Sequence, residues 1–198
     1  MFSQKDRRIL RDLARRKAEL AAQPVQQERR RLWTRLNRLQ AERPMVWIFE
    51  IPWHEMNAGE ELTLRCEGER ARPIETALRR ELYHAAHMPD DLLIEPFFPV
   101  GPVLTDTGFG IAEEVDIAQT DAVSDVVSRH FHIQIQDEAD IEKIQMPTVA
   151  LDAPAWDREQ GLLGELFDGV LPAVKTGLRH TSIAPWDFLV RLTGVDAL

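Results

Sequence analysis

The sequence predicts an α/β fold that is built on parallel strands and preceded by a pair of amphipathic helices. The first observation is an apolar run at residues 45–51, whose β-branched and aromatic composition is typical of a strand buried on both faces. The second is a helical pattern at residues 73–88, followed at once by another apolar run at residues 91–100. Strand, loop, helix and strand in this order form a βαβ unit, and such units belong to parallel sheets.

The third observation is a change of charge near residue 43. Residues 1–43 contain 13 basic and 5 acidic residues, a net charge of +8, whereas the remaining 155 residues carry −17 and bring the total to −9. Leucines between the basic residues predict two amphipathic helices, at residues 4–22 and from Pro24 to about residue 42. We expect this hairpin to dock onto the acidic remainder of the chain rather than onto nucleic acid, because no aromatic stacking platform or zinc-finger spacing accompanies the charge.

Composition narrows the class of protein. With 44% hydrophobic residues, a chain of 198 residues can bury a sizeable core. It has no apolar run of about 18 residues and no signal-peptide pattern behind Met1, so we expect a soluble, cytoplasmic protein with no membrane partner. The single cysteine, Cys66, rules out an internal disulfide. Without a CxxC neighbour it is interpreted as a small, half-buried hydrophobe rather than as a nucleophile or metal ligand.

The rest of the chain predicts shorter elements. An irregular excursion over residues 101–136 contains an alternating strand in which His130 and His132 point to one face. Two histidines are fewer ligands than a zinc site requires, so we predict no metal site in this chain. Helices are predicted at residues 137–144, 154–167 and 187–192, and a short strand at residues 170–175. Three residues of the helix at residues 73–88 are interpreted as lying on its surface: Tyr83, His84 and His87.

Ionisable side chains stand at the carboxyl ends of both apolar runs. Glu50 and His54 end and follow the first run, and Glu95 ends the apolar part of the second. Neighbouring parallel strands bring their carboxyl ends together, so we expect these three side chains to share one cleft as candidate catalytic residues. Two carboxylates and an imidazole can hold a proton or coordinate a cation. The alternative is that Glu50 and Glu95 accept backbone hydrogen bonds and cap loops.

Four short motifs resemble, in order and spacing, those of one protein family. They are RPMVWI at residues 43–48, Glu95-Pro96, EADIEK at residues 138–143, and APW at residues 184–186. Together they resemble the amino-terminal part of the uroporphyrinogen decarboxylase superfamily, which also contains cobalamin-dependent, zinc-dependent methyltransferases that act on coenzyme M and related thiols. The resemblance implies a (β/α)8 TIM barrel whose site lies at the carboxyl ends of its strands.

Departures from the family pattern point to its methyltransferase-like branch. Glu50 and His54 stand where the decarboxylases carry arginines that hold the porphyrin carboxylates, and Arg191 stands where they carry a tyrosine. The carboxylate of Glu50 would repel a polycarboxylate substrate. The zinc ligands of the family, a histidine and two cysteines, lie in its carboxyl-terminal half. We therefore expect no cofactor in this chain alone, whereas a completed protein would use zinc and a corrinoid protein partner.

Length predicts an incomplete TIM barrel. Such a barrel takes about 250 residues, whereas the residues after the hairpin supply only three predicted strands. We therefore expect a basic helical hairpin at residues 1–43 and the amino-terminal part of a barrel at residues 44–198. A truncated product, a subunit completed by a separately encoded barrel half, and a self-associating chain all remain open.

Two functions follow from this interpretation. The first is that of an enzyme portion, related to decarboxylases and corrinoid-dependent methyltransferases, which contributes part of a barrel active site and is inactive alone. The alternative is a non-catalytic assembly or scaffold protein that uses the basic hairpin. If the predicted strands and turns are correct, six apolar side chains should be buried: Trp47, Ile48, Leu93, Ile94, Leu171 and Trp186.

Overall fold

The computed structural model describes residues 2–57, 59–119, 127–178 and 184–194, and these residues form a mixed α/β structure. The helices are α1 (Gln4–Ala21), α2 (Pro24–Asn37), α3 (Ala71–His87), α4 (Ala153–Phe167) and α5 (Pro185–Thr193), with a 3₁₀ helix at Glu138–Lys143. The strands are β1 (Phe98–Val100), β2 (Leu104–Asp106), β3 (Glu114–Ala118), β4 (Ser128–His132), β5 (Val149–Leu151) and β6 (Ala173–Lys175). None of the helices described is both long enough and apolar enough to span a lipid bilayer.

The chain divides into two compact units. The first comprises Met1–Val100 and Glu159–Val174, and the second comprises Gly101–Arg158 and Lys175–Leu198. The basic hairpin and the candidate catalytic residues all belong to the first unit. The second unit contains the antiparallel pairs β2–β5 and β3–β4, in which Glu114 lies opposite His132.

Helix α1 begins where the sequence predicts it. The Ser3 hydroxyl accepts a hydrogen bond from the Asp6 amide at 3.0 Å, which caps the first turn. Leu10 and Leu13 recur at helical spacing and are buried against α3. Lys17 adds an ion pair to this apolar interface, because its ammonium lies 2.7 Å from the Glu81 carboxylate and its side chain is only 3% exposed.

Helix α2 docks onto the segment that precedes β1. Arg29 donates to the carbonyl oxygens of Leu92 at 2.8 Å and Asp90 at 2.7 Å. The Gln26 side-chain oxygen accepts from the Ile94 amide at 2.9 Å. Pro24 occupies the first turn, where a missing amide hydrogen costs nothing. For these side chains, the predicted docking of the hairpin onto its own chain is confirmed.

The prediction of a buried strand at residues 45–51 is wrong. These residues have no regular strand structure, and Trp47 is 45% exposed and Ile48 38% exposed. The reason is physical, since a strand buried on both faces needs a neighbour at each edge and a layer on each face. In the described part of the chain, one backbone hydrogen bond joins this segment to a neighbour, from the Asp91 amide to the Val46 carbonyl at 2.8 Å.

The other predicted strands are shorter than expected. The apolar run at residues 91–100 forms a strand only at β1, which pairs with β6. Ile94 and Leu171 are buried as predicted, and Leu93 is half-buried, but Trp186 is 61% exposed. The described residues contain three two-stranded sheets and no closed barrel.

The α1–α3 interface should dominate the stability of the first unit. Leu78 of α3 is 1% exposed, so Leu78→Ala should lower the free energy of unfolding by about 2–5 kcal/mol through lost burial and a residual cavity. Val25→Ala, at a 44% exposed position of α2, is the control and should change it by less than about 0.5 kcal/mol. Denaturant titration followed by circular dichroism measures both. Equal effects would contradict the assignment of this interface as the core.

Candidate functional site

Two carboxylates hold the apolar segment at residues 45–49 beside the segment at residues 90–94. The buried Asp90 carboxylate accepts from the Ile48 amide at 2.9 Å and from the Leu92 amide at 3.0 Å. His84 Nε2, from α3, lies 2.7 Å from the Oδ2 atom of Asp90. One carboxylate therefore connects a helix to both apolar segments.

Asp91 makes the second connection. It binds the Arg43 guanidinium with two hydrogen bonds, of 2.6 and 2.8 Å, and accepts from the Val46 amide at 3.0 Å. Its own carbonyl oxygen accepts from Trp33 Nε1 of α2 at 2.9 Å. The paired guanidinium lowers the pKa of Asp91 to about 2, so this carboxylate is charged at neutral pH.

Asp90 is also charged, despite its burial. Burial acts to raise the pKa of this carboxyl, but the hydrogen bonds from Ile48 and His84 outweigh burial and lower the pKa below its ordinary value. An unpaired buried carboxylate would be costly. The interactions that keep Asp90 ionised are the same ones that position the apolar segment.

The three sequence-predicted site residues follow these segments. Glu50 is exposed, and the His54 Nε2 atom lies 3.4 Å from a carboxylate oxygen of Glu55. Glu95 binds Arg30 of α2, with 2.5 Å between Oε2 and Nη2. Glu95 thus takes part in docking the hairpin. A cleft shared by Glu50, His54 and Glu95 stays a prediction.

Sequence reasoning missed the buried polar residues that order this region. The interpretation of His84 as a surface residue is wrong, because it is only 5% exposed. Glu75 is fully buried and accepts from the backbone amides of Arg65 at 2.9 Å and Cys66 at 2.8 Å. The sequence does contain one indication of the role of Asp90, which is its position directly before an apolar run. A carboxylate at such a position can accept hydrogen bonds from the first backbone amides of the segment that follows.

Cys66 is not suited to act as a thiolate. It is 2% exposed, and burial together with the neighbouring Glu75 carboxylate raises the pKa of its thiol to about 12. Cys66 is thus a small buried residue, as predicted, although it is fully buried rather than half-buried. In the part of the chain that the structure describes, no three His, Cys, Asp or Glu side chains are placed to hold a metal ion.

The two histidines and the arginine that the sequence analysis considered, His130, His132 and Arg191, lie in the second unit. His132 Nε2 is 2.9 Å from a carboxylate oxygen of Asp116 across the β3–β4 pair, and its ring centroid is 5.5 Å from that of His130. The Nη1 atom of Arg191 lies 3.4 Å from Oε2 of Glu113, and the Cζ atom of the same guanidinium lies 6.0 Å from the centroid of the Phe131 ring. These contacts account for both histidines and the arginine as surface residues of a small sheet and a helix.

No protein-family model, curated protein or solved structure matches the chain. The resemblance to the uroporphyrinogen decarboxylase superfamily accordingly depends on the four sequence motifs, and function has to be argued from the residues and their contacts.

Asp90 should control acid stability. Folding lowers the pKa of Asp90 and Asp91, so the folded state binds fewer protons than the unfolded chain. Their contribution is fully present above the unfolded pKa, near about 4, and is lost as pH falls toward the folded values. Asp90→Asn should lower the free energy of unfolding at pH 7 by about 1–3 kcal/mol and flatten its decline as the pH falls below the ordinary aspartate pKa of about 4.

Urea titrations at several pH values measure this effect. Asp168→Asn, at an exposed carboxylate beyond α4, is the control and should leave both the stability and its pH dependence nearly unchanged. A pH profile that is unaltered in Asp90→Asn would show that the buried carboxylate does not link folding to protonation.

Proposed function

We propose that the chain is the amino-terminal part of a uroporphyrinogen decarboxylase-like barrel of the methyltransferase-like branch, which contributes part of an active site and is inactive alone. The observation that carries this proposal is the pair of neighbouring apolar segments at residues 45–49 and 90–94. They are the two runs that the family motifs assign to the first two barrel strands. The backbone hydrogen bond from Asp91 to Val46 supports their being neighbours.

The exposure of the first segment supports a missing set of strands. Val46, Trp47, Ile48 and Phe49 are consecutive large apolar residues, and Phe49 is 60% exposed. Burial of apolar surface gains about 25 cal/mol per Å², so four such neighbours favour association. Further barrel strands, from a longer chain, a separate subunit or a second copy, would cover this segment.

The chemistry at the strand ends favours methyl transfer over porphyrin decarboxylation. Glu50 is acidic and exposed where a porphyrin decarboxylase needs arginines, so substrate carboxylates would be repelled. Glu50 and His54 could instead hold a proton or orient a neutral or cationic group in the completed site. Zinc, when bound by residues outside this chain, would supply activation of a substrate thiol, and a corrinoid protein would be the partner.

The alternative of a scaffold that uses the basic hairpin receives less support. The side chains of Lys17, Arg29, Arg30 and Trp33 bind the chain's own α3 and the segment before β1. Basic groups that are paired in this way are not available to a partner. These four side chains of the hairpin therefore brace its own chain.

Recovery of the assembled protein tests this proposal. An affinity tag at the amino terminus, used in the source organism, should retrieve a species larger than the 22.7 kDa of this chain. This species should contain zinc and transfer a methyl group between a corrinoid and a thiol. A monomer of the size of this chain, with neither zinc nor methyl transfer, would overturn the proposal.

A charge placed in the exposed segment should separate folding from assembly. Phe49→Asp should change the free energy of unfolding of the isolated chain by less than about 0.5 kcal/mol, because the site is exposed. In the assembly it would bury an unpaired carboxylate, so the larger species should be lost. Leu39→Asp, at a position that is 95% exposed and outside the segment, is the control and should retain it. Size-exclusion chromatography with light scattering distinguishes these outcomes.

The purified chain should show no uroporphyrinogen decarboxylase activity. The reason is that Glu50 replaces a carboxylate-binding arginine and that the described residues form no closed barrel. The decarboxylase activity is measured by incubating the purified chain with uroporphyrinogen and separating the porphyrin products by chromatography. Turnover above the rate without protein would contradict both arguments.

A further inference from the structure

The first unit contains a cavity of about 500 Å³ beside α1 and α3. Its volume is within the range of small-molecule sites, about 300–1,000 Å³. Leu13 and Leu82, both nearly buried, contribute apolar surface, and the ring of Tyr83 lines it. The His87 ring, 4.2 Å away, packs against that of Tyr83. The cavity therefore offers an apolar surface with an aromatic component.

Four guanidinium groups line the same cavity, and three of them are not used by the fold. Arg79 is committed, since it donates to Glu75 at 2.7 Å and to the Glu61 carbonyl at 2.8 Å. The guanidinium groups of Arg8, Arg16 and Arg65 have neither a hydrogen bond nor an ion pair with the described residues. By contrast, Lys17 and Arg11 on the same helix bind Glu81 and the Leu166 carbonyl.

The acidic residues around the cavity do not neutralise these arginines. Asp12 lies 3.3 Å from Arg15, and the Glu61 carboxylate lies 2.8 Å from His87 Nε2. Glu60 is the remaining carboxylate of the lining. The three guanidinium groups of Arg8, Arg16 and Arg65 outnumber the two carboxylates of Glu60 and Glu61, so the cavity carries a net positive charge and favours an anionic ligand.

Spacing along α1 narrows the ligand further. Arg8 and Arg16 are eight residues apart, so their Cα atoms are separated by about 12 Å along the helix axis. A single small anion meets one of these groups, whereas an elongated molecule with an anionic group at each end meets both. Asp12, one turn from each of these arginines on the same helix, is paired with Arg15. The accessible apolar side chains of the lining, Ile9 and Ala86, would contact the middle of such a molecule. We propose that this cavity binds an elongated organic dianion with an apolar middle, such as an aliphatic dicarboxylate.

The site is independent of the function proposed above, because none of its residues belongs to the candidate catalytic site. Suberate, an eight-carbon dicarboxylate, is the probe, and isothermal titration calorimetry on the 198-residue chain measures its binding. Arg8→Gln and Arg16→Gln should each weaken binding by about tenfold or more, since each removes one charge-assisted hydrogen-bonding group. Both positions are exposed, so thermal unfolding should remain as in the unsubstituted chain.

Arg7→Gln is the matched control, because it removes the same charge from the same helix but does not line the cavity. It should change suberate affinity by less than about twofold. Octanoate, with one carboxylate, should bind more weakly and respond to only one of the two cavity substitutions. Inorganic phosphate should also bind more weakly than suberate.

Three results would overturn the proposal. One is the absence of saturable suberate binding. Another is an equal loss of affinity in Arg7→Gln, Arg8→Gln and Arg16→Gln, which would indicate attraction to the net charge of α1 alone. The third is phosphate or octanoate binding as tight as suberate binding, which would show that the cavity does not recognise two anionic ends.

Discussion

The buried carboxylate of Asp90 is the interaction on which the first unit depends. It receives hydrogen bonds from the amides of Ile48 and Leu92 and lies 2.7 Å from His84 of α3. The backbone carbonyl oxygen of Asp90 accepts a hydrogen bond from Arg29 of α2. One residue therefore joins two helices to the two apolar segments. Because a buried carboxylate that loses its partners is costly, each of these elements constrains the others.

Helices could be predicted closely from the sequence, because their hydrogen bonds are local and their apolar periodicity is visible in a short window. The patterns at residues 4–22, 73–88 and 154–167 correspond to α1 (Gln4–Ala21), α3 (Ala71–His87) and α4 (Ala153–Phe167). Strands could not be predicted in this way. Residues 45–51 have the composition of a buried strand, but a strand also requires partners elsewhere in the sequence. Among the described residues this run has no strand structure, and Asp90 and Asp91 hold it.

The neighbourhood of the two apolar runs could be predicted from the sequence, whereas the contacts of the residues that end and follow them could not. The sequence places Glu50, His54 and Glu95 just beyond apolar runs, and those runs do lie side by side. It could not indicate that Glu95 binds Arg30, since the two residues are 65 positions apart and pair only after α2 docks. The role of His84 was hidden for a similar reason. A histidine beside polar and small helix residues has no sequence pattern that distinguishes an exposed position from one buried in a hydrogen bond to a carboxylate.

The two apolar segments differ in how they are held, and this difference has a consequence for assembly. Residues 90–95 are bound by α2 through Gln26, Arg29 and Arg30 and by α3 through His84. The segment from Val46 to Phe49 is held mainly through Asp90 and Asp91, and its large side chains remain exposed. The better-braced segment therefore positions the exposed one, and under the proposed function this alignment would precede the addition of strands. A segment that is already ordered loses less conformational entropy when a strand is added to it. The hairpin and the contacts of Asp90 and Asp91 would therefore prepare the chain for completion of a sheet.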